Sequence, residues 1–316
     1  MPRQLNQVPL NFIPKIMAGN SQPKTPDWIA LVILVLVWGS SFILIKKSLV
    51  SFSSSEVGAL RIAISFLVLS PWVITSLRKI PVNKLVFFLL SGIIGNGLPP
   101  FLFAKAQTVI DSYLAGVLNS LTPLFTLLLG VLFFGIRTRW FNVFGVLVGL
   151  GGAIGLLTVS NGGGYGNAWY GLYVIFAAIC YAINMNLIKN YLSDFNAMTI
   201  ASVAFFFIGV PSLVYVFAGT DVTEVLRSDP RGWESFAYIV VLAVVGTAIA
   251  MVMHNWLIKR TSALFTSTVT YLMPVISILW GIADGEKFLL VYLFWIGLVL
   301  TGVYLANKRK ANTKAA

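Results

Sequence analysis

The sequence predicts an all-α integral membrane protein of ten transmembrane helices, arranged as two inverted five-helix repeats. Three observations carry that expectation. The chain of 316 residues is 58% hydrophobic and only 10% charged, against about 25% charged in soluble domains, and its mean hydropathy is +0.88. Apolar stretches long enough to cross a bilayer, roughly 20 residues each, follow one another with short connections. Finally, the stretch Asp111 to Gly130 (DSYLAGVLNSLTPLFTLLLG) recurs about 151 positions later at Ser262 to Gly281 (SALFTSTVTYLMPVISILWG), with Leu121 on Leu272, Pro123 on Pro274, Thr126 on Ser277 and Gly130 on Gly281.

Residues 1–27 are polar and broken by Pro2, Pro9, Pro14, Pro23 and Pro26. They lack the apolar core of a signal peptide and read as a cytoplasmic tail. Spans are expected at 28–46, 56–77, 85–106, 111–134 and 140–159, making a first repeat over 28–159. The glycine-rich stretch Gly162 to Gly166 reads as a flexible linker. A second repeat over 168–306 then holds spans at 168–188, 195–218, 235–258, 262–283 and 288–306, and 307–316 forms a basic cytoplasmic tail. The longest connection, Gly219 to Glu234, carries mixed charges and suits a short amphipathic turn on the membrane surface.

The net charge of +12 invites a nucleic-acid reading, but the basic residues stand singly at span ends and are not gathered on one polar element. Membrane topology accounts for them. With the N-terminus inside, fifteen Lys and Arg fall on inside segments and six on outside segments, so both termini are expected in the cytoplasm. Cys180 is the only cysteine and His254 the only histidine. No intrachain disulfide and no cysteine- or histidine-cluster metal site is available, and no cofactor is expected.

The duplication extends beyond the proline-bearing pair. Trp38 to Phe52 lies on Tyr181 to Phe195, and Gly95, Asn96 and Phe103 lie on Gly246, Thr247 and His254. Each copy holds an odd number of spans, so the second must enter from the opposite side. Inverted repeats of this kind underlie alternating access.

Trp38-Gly39-Ser40-Ser41-Phe42 followed by Lys46, Leu60-Arg61 early in the second span, the proline-bearing fourth and ninth spans, and Gly285-Glu286 before the tenth together resemble the EamA-type permeases of the drug/metabolite transporter superfamily. The resemblance runs from Trp28 to Lys310. It implies a bacterial-type inner-membrane permease exporting amino acids or other small metabolites, with spans one, three, four, six, eight and nine around the path. The first copy has Gly135-Ile136 where the family often has Gly-Glu, and Tyr181 replaces the usual Trp.

Helical periodicity places Ser112, Gly116, Asn119, Ser120, Pro123, Thr126 and Gly130 on one face of the fourth span, with Thr122 beside them. Ala263, Ser267, Thr270, Tyr271, Pro274, Ser277 and Gly281 share one face of the ninth. These faces offer hydroxyls and amides to a polar solute, or let helices approach closely. Pro123 and Pro274 each remove a backbone donor. Trp38 with Ser41, and Tyr181 with Asn184, set an aromatic beside a small polar group at mid-span. Asn96 precedes Pro99 and Pro100, which predicts a kink there; with Thr247 it is a path candidate. His254 either carries a proton or is hydrated near the inner end beside Lys259 and Arg260. Arg61 and Glu56 are read as a structural charge pair, with a substrate carboxylate as the other partner open to Arg61. Gly145, Gly149, Gly151, Gly152 and Gly155 crowd the fifth span, for helix packing or a homodimer contact.

Enzyme classes fit poorly. One histidine cannot supply HExxH, there are no paired intramembrane aspartates, and a Ser41–His254 dyad would have to meet across the bilayer. A sensor predicts a soluble output domain that the sequence does not encode. The expected activity is export of small metabolites such as amino acids, with sugar-phosphate or amphipathic-drug carriage as alternatives. The expected partners are a small solute and the lipid bilayer.

Overall fold

Helices account for nearly all of residues 23–134, 139–160, 168–261 and 263–307, which are those described by the computed structural model; no strand occurs among them. In chain order they are α1 (Thr25–Ser48), α2 (Ser54–Leu77), α3 (Val82–Ala106), α4 (Ser112–Phe133), α5 (Trp140–Ser160), α6 (Ala168–Tyr191), α7 (Ala197–Ala218), the short α8 (Val222–Ser228), α9 (Gly232–Arg260), α10 (Ala263–Ala283) and α11 (Val291–Asn307). Eight of these are long and apolar enough to cross a membrane. Two shorter apolar runs, Val269–Ala283 and Val291–Ala306, lie in α10 and α11. The amphipathic turn expected between Gly219 and Glu234 is the helix α8. The glycine-rich linker, the Gly135-Ile136 departure and residues 1–22 and 308–316 of the tails lie outside the described residues, while Thr25–Asp27, expected in the N-terminal tail, begin α1.

The caps follow from local chemistry. Ser53 and Glu56 form a capping box at the start of α2: the Ser53 backbone N–H and hydroxyl both donate to the Glu56 carboxylate, at 2.8 and 2.7 Å. Glu56 is thereby committed to its own helix end, and the expected Glu56–Arg61 pair does not form. Asn196 accepts from the Thr199 N–H at 2.7 Å and starts α7.

The packing has a two-fold logic. α1 lies against α10, and its copy α6 lies against α4. α3 packs on α6 as α9 packs on α1, while α2–α7 and α5–α11 pair with their own copies. Each repeat therefore completes the other. Outward-facing side chains form an apolar coat, including Trp140, Leu147, Ile154, Phe217 and Leu290, as lipid contact demands.

The crowded glycines of α5 serve packing within the chain. Cβ atoms added at Gly145 or Gly152 would run into α11, against Ala306, Gly302 and Val299 among others, and one at Gly149 would run into Leu124 of α4. Gly302 leaves no room for a side chain against the Gly149 backbone. Gly151 points to open space. We expect Gly302→Val to cost about 1–3 kcal/mol through overpacking and to lower the melting temperature of the detergent-solubilised protein, whereas Gly151→Ala leaves it unchanged. Equal melting temperatures for both variants would refute this assignment of the glycines.

Candidate functional site

Two helices carry the same local defect at matching positions. α3 contains a π-helical segment at Ser91–Gly97, and α9 one at Val244–Ile249. Such a segment inserts a residue and strands a carbonyl, which in a membrane needs a replacement donor. Both repeats supply it from the same place, five residues on. Asn96 Nδ2 donates to the Ser91 carbonyl at 3.2 Å, and Thr247 Oγ1 donates to the Leu242 carbonyl at 3.0 Å. Prolines follow the bulge in α3 only, so the expected proline kink is not the common cause.

Each bulge presents a glycine to the first helix of the other repeat. Gly246 faces α1: its carbonyl accepts from Trp38 Nε1 at 3.0 Å, and an added Cβ would lie 3.1 Å from Ser41 Oγ. Gly95 faces α6, where a Cβ would collide with the Asn184 amide. The aromatic partners repeat as well. The Trp38 and His254 ring centroids are 4.9 Å apart, and those of Phe103 and Tyr181 are 6.0 Å apart. Trp38, Ser41, Asn96, Tyr181, Asn184, Thr247 and His254 are thus gathered around the paired bulges. His254 lies half-buried with its ring against Trp38. Ser41 Oγ donates to the Val37 carbonyl at 2.9 Å, so it forms no dyad with the histidine.

Arg61 joins this cluster from α2. It is 8% exposed, and its Nε donates to Thr247 Oγ1 at 2.8 Å. It neither snorkels to the surface nor takes part in an ion pair among the described residues. Two side-chain oxygens nearby in the fold, Asn96 Oδ1 and Asn184 Oδ1, are buried without a partner.

The proline helices behave differently from this centre. α4 breaks at Ser120 and Leu121, between Ser112–Asn119 and Thr122–Phe134. Thr122 Oγ1 donates to the Asn119 carbonyl at 2.8 Å, replacing the N–H that Pro123 lacks. α10 continues unbroken through Pro274. The small faces meet directly, with Gly116 against Ser277 and Phe42, so at that level they pack closely and leave no room between them. Tyr271 donates its hydroxyl to the Val303 carbonyl of α11 at 3.1 Å, away from the bulges. Thr270, one turn before Pro274, is half-buried.

At one end of the bundle a polar latch joins α1, α4 and α10. Lys46 Nζ lies 2.7 Å from Asp284 Oδ2 and 2.9 Å from Glu286 Oε1, and Lys47 pairs with Asp284. The Glu286 side chain is 1% exposed. Its two oxygens accept the Ser112 and Tyr113 backbone N–H groups at 2.9 and 3.3 Å, which is a carboxylate at a helix N-terminus. Gly285 has φ 80°, which turns the chain back toward α4. Lys46 and Glu286 were both visible as motif residues, but their joint hold on the start of α4 was not.

A mostly apolar helical bundle, duplicated, with a polar centre framed by helix defects and a latch at one end, defines a membrane carrier. The chain belongs to the EamA-like transporter family, whose model matches residues 27–158 and 168–308. It is similar to an uncharacterized transporter of Archaeoglobus fulgidus (26% identical, covering 90% of this chain and 99% of that one). It is similar also to the uncharacterized inner membrane transporter YedA of Escherichia coli K12 (28%, covering 87% and 91%). A more distant relative is a probable terminal-alkyne amino-acid exporter of Streptantibioticus cattleyicolor (23%, covering 89% and 93%). A solved crystal structure has the same fold, with a TM-score of 0.62 at 19% identity, covering 90% of this chain and 97% of that chain. The protein is therefore a multi-pass membrane transporter and not an enzyme.

The latch yields two expectations. Spin labels at Thr108→Cys and Leu290→Cys, in a Cys180→Ser background, should report one short distance by pulsed electron resonance. Glu286→Gln should add a longer population, because charge-assisted bonds worth about 1.5–3 kcal/mol each are weakened; an unchanged distribution would contradict the latch. Burial, and then the neighbouring Glu286 charge, push the Asp111 carboxyl up, with Lys46 offsetting part of this. Protonation of Asp111 therefore favours the closed latch, so its contribution is present at acid pH and is lost as pH rises through the raised value. Burial also works against the Asp284 charge, but Lys46 and Lys47 more than offset it and hold that carboxyl below the usual range, so it stays ionised across this window. In the protein with Glu286 intact the short distance should be sharpest at acid pH and a longer population should grow in as pH rises, and Asp111→Asn should abolish that dependence.

Proposed function

We propose that the chain exports small amino-acid-like metabolites by alternating access. In this reading ten spans form two inverted repeats, over 28–159 and 168–306, in a bacterial-type inner membrane with both termini cytoplasmic. The single observation that carries it is the matched pair of π-bulges, each facing the first helix of the other repeat. Trp38 and Ser41 stand at one, and Tyr181 and Asn184 at the other. A site shared equally by two copies that run in opposite directions can be offered to either side by rocking one copy against the other.

The latch fits a state closed to the outside. Lys46, Asp111 and Glu286 fall on outside segments in the orientation that the basic residues favour. At the same end the first half of α4 packs extensively on α10, and beyond Thr122 that contact thins. The path then runs from the inner end to the bulges, lined by Trp38, Ser41, Asn96, Tyr181, Asn184, Thr247 and His254. Asn119, Thr122, Pro123, Thr270, Tyr271 and Pro274 belong to the moving proline helices beside it. Amino-acid export is supported by the name of one distant relative and by the mixture of aromatic rings and amides at the site.

Cells overproducing the protein and loaded with labelled amino acids should lose at least one of them faster than control cells. Trp38→Ala and Asn184→Ala should each reduce that efflux about tenfold or more without lowering the amount of protein in the membrane. No change for any amino acid would sink the amino-acid reading and turn attention to sugar phosphates and amphipathic drugs.

A further inference from the structure

We propose that Arg61 is the anchor for a carboxylate on the transported solute, so that the substrates are carboxylate-bearing molecules held by that group at the paired bulges. The inference rests on the transporter reading above and narrows its substrate class.

A guanidinium inside a membrane-spanning helix costs roughly 2.5–3.5 kcal/mol on insertion scales, and such groups normally pair with an acid, snorkel, or serve a site. The structure removes the first two options. Glu56 is occupied at the Ser53 cap, and none of the four ion pairs among the described residues includes Arg61. Arg61 is also 8% exposed and reaches inward to Thr247, not outward to the surface. Its bond to Thr247 uses Nε. The guanidinium carries five N–H donors in a planar fork, so the two terminal nitrogens keep a bidentate edge for a planar anion.

The surroundings suit an anion that carries a donor elsewhere. Thr247 already donates to the Leu242 carbonyl while accepting from Arg61. It therefore acts as a fixed strut that orients the guanidinium against the bulge. On the matching bulge, Asn96 Oδ1 and Asn184 Oδ1 are buried acceptors without a partner. A solute with a carboxylate at one point and an N–H or O–H donor at another would satisfy both sets. α7, the copy of α2, has no Lys or Arg between Ala197 and Ala218. The charge thus belongs to one side of an otherwise symmetric site and gives the bound solute a polarity.

The test uses purified protein in liposomes, with counterflow of the L-amino acids that the cell assay identifies. Each is compared with its carboxamide, which keeps the ammonium and loses the anion, and with the desamino acid, which keeps the anion. Wild-type protein should take the two carboxylates at least about tenfold better than the amide, the difference expected for a hydrogen bond to a charged group. Arg61→Gln should erase that preference, and Arg61→Lys should retain part of it. Thermal unfolding of each variant checks that it folds. If Arg61→Gln alone fails to fold, a preference reduced in Arg61→Lys supports the anchor and one unchanged from wild type overturns it. Amino acids carried with no preference over their amides would overturn the anchor and leave the exporter reading standing. Carboxylates other than amino acids carried with full dependence on Arg61 would support the anchor and overturn the amino-acid reading. Carriage of no carboxylate would overturn both.

Discussion

In the bilayer core no water is available to satisfy a stranded peptide group, and that constraint organises this molecule. At three interruptions of the helical ladder a side chain has been placed to complete it. Asn96 and Thr247 each return to the carbonyl five residues back at a π-segment. Thr122 replaces the donor missing at Pro123. Ser65 shares its hydroxyl between the Arg61 and Ala243 carbonyls, tying α2 to the bulge of α9. The breaks are not scattered. They stand where the two repeats meet, so the positions at which backbone regularity is given up are also the positions at which a solute can find polar partners.

Duplication supplies the frame, and departures from it supply direction. The aromatic pairs, the bulges and the glycine contacts repeat across the halves. Arg61 has no basic counterpart in α7, and the sequence has Ile136 where the second copy has Glu286. A carrier with two identical halves would have equal energies for its two end states, because the inverted copy maps one onto the other. Charges present in a single copy break that equality. The Lys46–Glu286 pair, with two backbone N–H groups added, stabilises closure at one end, and α10 continues through its proline where α4 breaks.

Much of this was legible in the sequence because hydropathy and repeat spacing are local signals. The helices fall where apolar runs predict them, and aligning Gly95 with Gly246 and Phe103 with His254 already pairs the residues that frame both bulges. What stayed hidden was conformation that depends on a partner. Nothing in Val244–Ile249 announces a π-segment, since it has no proline, and the meeting of its Gly246 with Trp38 and Ser41 exists only in the fold. The sequence neighbours Glu56 and Arg61 invite pairing on one helix. Their real partners, Ser53 and Thr247, are set by a cap in one case and by a helix far along the chain in the other. The small faces of α4 and α10 left packing and solvent-lined readings open, because small residues serve both; only the contact of Gly116 with Ser277 separates them.

The latch and the central site share a rod, and this links opening to binding. α1 carries Lys46 near one end, with Ser41 about 7.5 Å and Trp38 about 12 Å away at 1.5 Å per residue, and no break in the helix between them. Displacing the Glu286 carboxylate loosens α1 and the start of α4 together, since that one group holds both. Any tilt of α1 that widens this end must also move Trp38 against the Gly246 carbonyl and alter its ring contact with His254. In the proposed reading, a solute at the bulges would therefore change the energy of the latch, and the latch the shape of the site. That coupling needs no separate relay: a stiff helix bonded at both levels is sufficient, because packed interfaces shift between discrete arrangements and do not deform continuously.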